Sequence, residues 1–249
     1  MNKFMSLFKR DLVNIVINPM LLFYNTFFPV LMILALGFLN RGNYGNTGID
    51  SYDYYGITIL LYIILNVSTS SANSFMEKSL KTTNMRVMFT PIRLSFIYLS
   101  KILATFVFTS ACFSVMMLLA NKVLGVNYGG RHTGYVLCLV FLFNLLSSVA
   151  GVMLCCIFKS EESTNKLLSL VNTLLALFGG LFFQLDGLGK AAAIISSVSP
   201  VKWILDGIFK IVYDGDTGSF LPICAAFIAL SLLMLMICKW TFRTEDYVS

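Results

Sequence analysis

The 249-residue chain is too apolar for an ordinary soluble domain, because 57% of its residues are hydrophobic and only 12% are charged, against about 25% charged in soluble domains. This composition predicts an all-α integral membrane protein. The net charge of +6 arises from basic residues placed between apolar runs, which is the pattern of membrane topology. We therefore expect no contact with DNA or RNA.

The first 17 residues form an amphipathic pattern. Its apolar side chains share one helical face and are Phe4, Leu7, Phe8, Leu12 and Ile15. Lys9 and Arg10 lie on the other face, so we expect an interfacial helix over residues 1–17 that ends at Asn18-Pro19. A cleaved signal peptide is the alternative, but the apolar run that follows has about 20 residues, longer than the 7 to 15 of such a peptide.

Six apolar runs approach the length of about 20 residues that a bilayer-spanning helix needs. They cover residues 20–39, 55–75, 102–120, 135–158, 167–183 and 221–240. If both termini are cytoplasmic, 12 of the 18 Lys and Arg residues fall on the cytoplasmic side, in agreement with the positive-inside rule. We expect a multi-pass protein of the cell membrane with both termini in the cytoplasm.

The cytoplasmic connector 76–94 contains a short segment that predicts a docking helix. Met85, Met88 and Phe89 have the spacing of one helical face, and Pro91 disfavours continuation of that helix. Arg86 and the basic residues around it keep the connector out of the hydrocarbon. An exposed Met/Phe face between two spans indicates a binding surface for a cytosolic partner.

Polar side chains form a stripe on each of two spans. On the second span they are Asn66, Ser70 and Asn73, and on the fifth they are Asn165, Ser169, Asn172 and Thr173. Such groups must face protein or water inside a membrane. Two interpretations are open: the stripes bond helices together, at about 0.6 kcal/mol for each bond, or they line a transport pathway. Both can hold for one residue.

Residues 188–214 are too polar to span a membrane and too apolar for a free loop. Pro200 separates two possible short helices, 191–198 and 201–213, which we expect to be re-entrant helices at the outer face. Asp206 and Lys210 have the spacing of an ion pair on the second of them.

The sequence contains no constellation typical of catalysis or metal binding. His132 is the sole histidine, and the six cysteines lie within spans without Cys-x-x-Cys spacing. Glu161, Glu162 and Lys166 superficially resemble a motif of membrane-embedded proteases, but that chemistry needs Arg and further histidines. No Gly-x-x-x-x-Gly-Lys-Ser/Thr motif is present, so this chain is not expected to bind nucleotide or to be an enzyme.

The order of these features resembles a permease subunit of the type 2 ATP-binding-cassette (ABC) exporters. The resemblance covers essentially the whole chain. Its motifs are KRDLVNIVINP at the end of the interfacial segment, EKSLKTTNMRVMFTPI in the connector, Lys101 at the start of the third span, and SPVKW before the last span. Where the family connector often has Gly-Thr, this chain has Thr83-Asn84.

The resemblance implies one transmembrane domain over residues 1–249 and assigns roles within it. Residues Met85, Arg86, Val87, Met88 and Phe89 would be the coupling helix that docks on a cytosolic ABC ATPase. The interfacial helix, with Phe4, Phe8, Lys9 and Arg10, would lie beside it. The outer gate would include Pro200, Trp203 and Asp206.

The implied complex has two permease chains in membrane lipid, as a homodimer or as a heterodimer with a similar chain. The second and fifth spans would line the pathway between the two chains. ATP and Mg would be bound by the ATPase, and this chain would hold no cofactor.

The expected function is ATP-driven export by alternating access. Phe178, Phe182 and Phe183 flank the polar stripe of the fifth span and favour an amphipathic or hydrophobic cargo, such as a peptide, a lipid-like molecule or a drug. A passive pore is disfavoured because no ring of charge lies in the spans. A sensor or immunity subunit of an ABC-type complex stays open as the alternative.

Overall fold

The computed structural model describes residues 3–41, 49–76, 94–182, 196 and 199–242. In these residues the structure is helical and has no strand. The helices are α1 (Lys3–Val16), α2 (Pro19–Leu39), α3 (Ser51–Met76), α4 (Leu94–Leu124), α5 (Thr133–Phe158), α6 (Glu161–Phe178), α7 (Pro200–Phe209) and α8 (Phe220–Thr241). A short 3₁₀ turn, Gly130–His132, precedes α5, and a π-helical turn, Lys210–Asp214, follows α7.

Five helices of the described part are long and apolar enough to cross a membrane, namely α2, α3, α4, α5 and α8. They coincide with the first four predicted spans and the last one. The fifth predicted span, 167–183, overlaps α6 only in part. That helix begins at Glu161, where the Ser160 side chain accepts from the Ser163 N–H at 3.4 Å, and acidic residues in a first turn suit the helix dipole. The polar first turns of α6 explain why this helix is not among the five that are apolar enough to cross a membrane.

Helix α3 is the centre of the fold and packs against α2, α4, α5 and α6. Its contact with α5 is close because Gly151 has no side chain. A Cβ atom at Gly151 would lie 1.9 Å from the carbonyl oxygen of Ser68, so the two backbones touch there. Small residues allow such close approach between membrane helices.

Helices α2 and α8 lie at the edge of the fold. Large apolar side chains are exposed along both helices, including Phe38 and Leu39 on α2 and Met236 and Trp240 on α8. In a membrane protein an exposed apolar face is satisfied by lipid. Helix α2 begins at Pro19 as predicted, after Asn18, whose side chain accepts from the Met20 N–H at 3.1 Å.

Helix α1 confirms the predicted amphipathic helix at the start of the chain. Leu7 and Ile15 are buried and Lys9 is exposed. The apolar face packs against α4, where the rings of Phe4 and Phe96 meet edge to face with centroids 5.4 Å apart. This face is therefore covered mainly by protein.

Helix α7 confirms a helix after Pro200, but its predicted ion pair is wrong. Asp206 pairs with Lys202, with 3.0 Å between Oδ1 and Nζ. Lys210 is exposed and begins the π-helical turn. The half-buried Lys202, one turn before Asp206, supplies the cation instead.

Candidate functional site

A cavity of about 290 Å³ lies between α2, α3 and the residues that follow α6. Its lining is mainly aromatic and aliphatic and consists of Tyr24, Phe28, Met32, Leu36, Tyr55, Thr58, Ile59, Tyr62, Ile63, Leu181 and Phe182. The Tyr62 and Phe182 rings meet edge to face at 5.3 Å. No charged side chain of the described residues lines the cavity, which is the character of a site for an apolar or uncharged molecule.

The cavity lies toward one end of the helices. Because α2 and α3 run in opposite directions, Leu36 near the end of α2 and Tyr55 near the start of α3 lie at the same level. Leu181 and Phe182, which follow α6, reach the same region. The cavity thus lies beside the first half of α3.

Thr58 contributes a buried hydroxyl to the cavity wall. Its side chain is 1% exposed, and its Oγ1 has no hydrogen-bond partner in the described part of the chain. A buried polar group without a partner costs roughly 1–3 kcal/mol. A molecule in the cavity that offers a hydrogen bond would remove this cost.

The predicted polar stripes lie outside this cavity, and two of their asparagines join α6 to α3. The Asn165 amide donates to Asn73 Oδ1 at 2.7 Å. The Asn172 amide donates to Ser68 Oγ at 3.0 Å and to the Leu65 carbonyl at 3.2 Å. These bonds hold the second and fifth predicted spans together within one chain.

The other members of the stripes make bonds within their own helices or lie near α1. Asn66 donates to the Tyr62 carbonyl at 2.9 Å, and Thr173 donates to the Ser169 carbonyl at 2.7 Å. Ser169 and Thr173 are exposed. Ser70 faces a small void beside α1 and α4.

A buried ion pair joins α1 to α4. Lys101 Nζ lies 3.0 Å from Asp11 Oδ1, and both residues are 2% exposed. The Ser100 hydroxyl donates to Asp11 Oδ2, and Arg10 Nη2 lies 3.0 Å from Asp11 Oδ1. The carboxylate is therefore surrounded by two cations and a hydroxyl.

The sequence predicts Lys101 at the start of a span but does not connect it with Asp11. A signal was present, because Asp11 interrupts the apolar face of α1, four residues from both Leu7 and Ile15. A charge on a packed face needs a partner of opposite charge. Since α4 follows the connector directly, the pair ties α1 to the helix that the connector leads into.

A network of hydrogen bonds lies at the start of α3, at the end of the bundle away from the Asp11–Lys101 pair. Asp53 Oδ2 accepts from the Tyr213 hydroxyl at 2.8 Å, and Asp53 Oδ1 accepts from the Asn127 N–H at 2.7 Å. The Tyr54 hydroxyl donates to the Gly180 carbonyl at 3.0 Å. Burial, followed by the bond to Asp53, raises the pKa of Tyr213, so this phenol stays protonated and keeps donating.

The predicted gate residues lie on the segment that carries Tyr213. Pro200 is the first residue of α7, Trp203 is 38% exposed and Asp206 pairs with Lys202. Two other residues of the same segment reach α3: Tyr213 bonds to Asp53, and the Phe209 ring stacks on that of Tyr54 with centroids 5.8 Å apart. Sequence spacing does not reveal the bond between Asp53 and Tyr213, because the two residues are 160 positions apart.

The model of the family described as "ABC-2 type transporter" matches residues 2–213. The chain belongs to the ABC-2 type transporter family. It is accordingly a multi-pass transmembrane permease of an ABC transporter, without ATPase activity of its own, and the family implies association with an ABC ATPase subunit. No curated protein matches the chain.

Two predicted parts of this ABC-2 permease fall outside the described residues. One is the coupling helix, with Met85, Arg86, Val87, Met88 and Phe89, and the other is most of the first re-entrant segment, 191–198. Of the three phenylalanines expected near the pathway, Phe182 lines the cavity and Phe178 is exposed, while Phe183 lies outside the described residues.

Proposed function

We propose that the chain is the membrane subunit of an exporter that moves an uncharged hydrophobic or amphipathic cargo out of the cell. The observation that carries this proposal is the aromatic, charge-free cavity between α2, α3 and the end of α6, with the unpaired hydroxyl of Thr58 in its wall. A separate cytosolic ABC ATPase, which binds ATP and Mg²⁺, supplies the energy for transport.

The cavity favours a neutral cargo for an energetic reason. A charged group that enters an apolar site loses its hydration, and no side chain of opposite charge in the lining would compensate. Aromatic rings provide large contact areas for rings or aliphatic chains. A single hydroxyl can then orient one polar group of the cargo.

A second permease copy would cover the exposed face of α6. Ser169 and Thr173 are exposed on this face together with Leu170 and Leu174. Hydroxyls at membrane depth need protein or water beside them. We therefore place the partner, either a homodimer copy or a similar chain, against α6, so that the pathway lies between the two chains.

The proposed coupling begins at Met85–Phe89 (residues 85–89), which dock on the ATPase at the cytoplasmic face of the cell membrane. Closure of the ATPase displaces the connector and α4, and the Asp11–Lys101 ion pair carries α1 along. The cavity then opens alternately to the two sides of the membrane. Both chain termini are cytoplasmic in this arrangement.

Transport in inside-out membrane vesicles tests the cargo class. Vesicles that contain the chain and its ATPase are given ATP and a fluorescent neutral peptide of Phe and Leu, and the same peptide with one added Lys serves as the charged probe. We expect ATP-dependent uptake of the neutral probe only. Tyr62→Ala should reduce that uptake at least several-fold, whereas Phe38→Ala, at an exposed α2 position outside the cavity, should not.

Uptake that is the same for Tyr62→Ala as for the wild-type chain would contradict the assignment of the cavity. ATP hydrolysis that responds to the neutral peptide without any uptake would instead support the sensor or immunity role.

Co-purification tests the coupling helix. The ATPase should be recovered with the wild-type chain from detergent-solubilised membranes and lost when Met88 and Phe89 are both replaced by Asp. The variant chain should still reach the membrane, since these residues lie on the cytoplasmic connector. Full recovery of the ATPase with the variant would rule out this docking face.

A further inference from the structure

A second cavity, of about 380 Å³, lies between the last turns of α4 and the first turns of α5. The turn that joins the two helices covers one end of it. Its lining consists of Ser114, Met117, Leu118, Asn121, Asn127, Tyr128, Gly130, Thr133 and Leu137. It shares no lining residue with the aromatic cavity, and the proposed export function does not use it.

The lining changes from apolar to polar along the helix axis. Ser114, Leu118 and Asn121 lie at i, i+4 and i+7 on α4, a length of about 10 Å. Met117, Leu118 and Leu137 make the part away from the turn apolar, and the Ser114 hydroxyl is already bonded to the Ser110 carbonyl at 2.9 Å. The polar residues of the turn and of the helix ends form the other part.

The apolar part of the cavity opens on the lipid-facing surface. Leu118 is 60% exposed, and its neighbour Val115 is 48% exposed without lining the cavity. Both lie on α4, which has the length and composition of a membrane span. Lipid hydrocarbon therefore contacts this opening.

The polar end carries positive charge. Lys122 and Arg131 are exposed and directly follow the lining residues Asn121 and Gly130. One described carboxylate, Asp53, reaches the turn through the Asn127 N–H, and it is also engaged by the Tyr213 hydroxyl. Lys122 and Arg131 thus place two positive charges next to the polar end of the lining.

We propose that this cavity holds one phospholipid molecule, with an acyl chain between α4 and α5 and its phosphate at Lys122 and Arg131. The occupant must be apolar at one end and anionic at the other, and it must approach from the bilayer with its long direction along the helices. A membrane phospholipid meets these requirements, and phosphate pairs well with Lys and Arg. The lipid joins α4, α5 and the turn between them.

Native mass spectrometry of the purified full-length chain tests the proposal with two probes. These are phosphatidylglycerol and a diacylglycerol with the same acyl chains, which lacks the phosphate. We expect one tightly retained phosphatidylglycerol per chain and about tenfold weaker retention of diacylglycerol. The variant with Lys122→Gln and Arg131→Gln changes only exposed side chains, so it should fold, and it should retain both lipids equally.

A matched pair of variants tests the position of the acyl chain. Ser114→Phe fills the cavity and should abolish the retained phosphatidylglycerol. Val115→Phe introduces the same side chain at the adjacent lipid-facing position and should leave the retained phosphatidylglycerol unchanged.

Equal retention by the two phenylalanine variants would show that the bound lipid is ordinary boundary lipid and would overturn the proposal. A preference for phosphatidylglycerol that survives in the Lys122/Arg131 variant would overturn the phosphate site. Neither result depends on the cargo or on the ATPase, so failure here is distinct from failure of the export proposal.

Discussion

The two halves of α3 are held by different forces. In the half near α1, Ser71 donates to the Ser148 carbonyl at 2.8 Å, and Asn73 and Ser68 accept from α6. In the other half, hydrogen bonds of Asp53 and Tyr54 hold only the first turn, and beyond it aromatic and aliphatic side chains pack around a cavity. Hydrogen bonds are directional and fix one arrangement of helices, whereas apolar packing is not directional. The half near α1 is therefore suited to transmit movement, and the half with the cavity is suited to accept molecules of varied shape.

The strongest test concerns the half of the bundle near α1 and removes the buried pair of Asp11 and Lys101. Asp11→Ala leaves Lys101 buried without its carboxylate, so the free energy of unfolding should fall by about 3–5 kcal/mol. Thermal unfolding in detergent measures the change. Lys166→Ala breaks the exposed Lys166–Glu162 pair and should cost only about 0.3–0.5 kcal/mol. Similar losses in the two variants would contradict a role for the buried pair in stability.

The next test concerns the close contact between α3 and α5. Gly151→Ala places a methyl group against the Ser68 carbonyl, and the helices must separate, which should cost about 1–3 kcal/mol. Gly134→Ala, on the same helix with open space around it, is the control and should be neutral or slightly stabilising. Melting temperatures of the two variants give the comparison. A stable Gly151→Ala protein would mean that the helices are not held tightly there.

A smaller effect is expected for the bonds between α3 and α6. Asn172→Ala removes the bonds to Ser68 and Leu65 and should lower stability by about 0.6–1.7 kcal/mol. Thr173→Ala changes an exposed residue that is bonded within its own helix, and it should lower stability less than Asn172→Ala. An Asn172→Ala variant as stable as Thr173→Ala, but impaired in transport, would shift the interpretation of Asn172 from helix pairing to the pathway.

The smallest effect on stability is expected in the cavity half. Thr58→Val removes a hydroxyl that has no partner, so unfolding should be unchanged or become harder by about 1 kcal/mol. Cargo that bonds to this hydroxyl should bind several-fold more weakly, measured as the concentration that half-stimulates ATP hydrolysis. Marked destabilisation by Thr58→Val would show that the hydroxyl has a partner within the fold.

Much of the fold follows from local sequence patterns. Each predicted span overlaps a helix, and the amphipathic pattern of α1 predicted which side chains pack. The fifth predicted span covers only the apolar part of α6, because the first turns of this helix, after the Ser160 cap, are polar. The predicted ion pair between Asp206 and Lys210 was wrong. Sequence spacing allowed both Lys202 and Lys210 as the partner, and only the packed structure selects Lys202.

The candidate site was predictable only in part. Phe182 was expected near the pathway and lines the cavity, but Tyr24, Tyr55 and Tyr62 gave no sign that separates them from other aromatic residues in spans. The polar stripes were expected either to bond helices or to line the pathway, and Asn165 and Asn172 do bond α6 to α3.

The sequence by itself determined that this is a helical membrane protein, and it predicted where its helices run. Helix hydrogen bonds are local and lipid requires long apolar runs, so both signals are written in neighbouring residues. The tertiary structure alone decided which distant side chains meet. Asp11 and Lys101 are 90 positions apart, and the cavity joins Tyr24 to Phe182. Such contacts depend on the rotation and crossing of whole helices, which no single segment specifies.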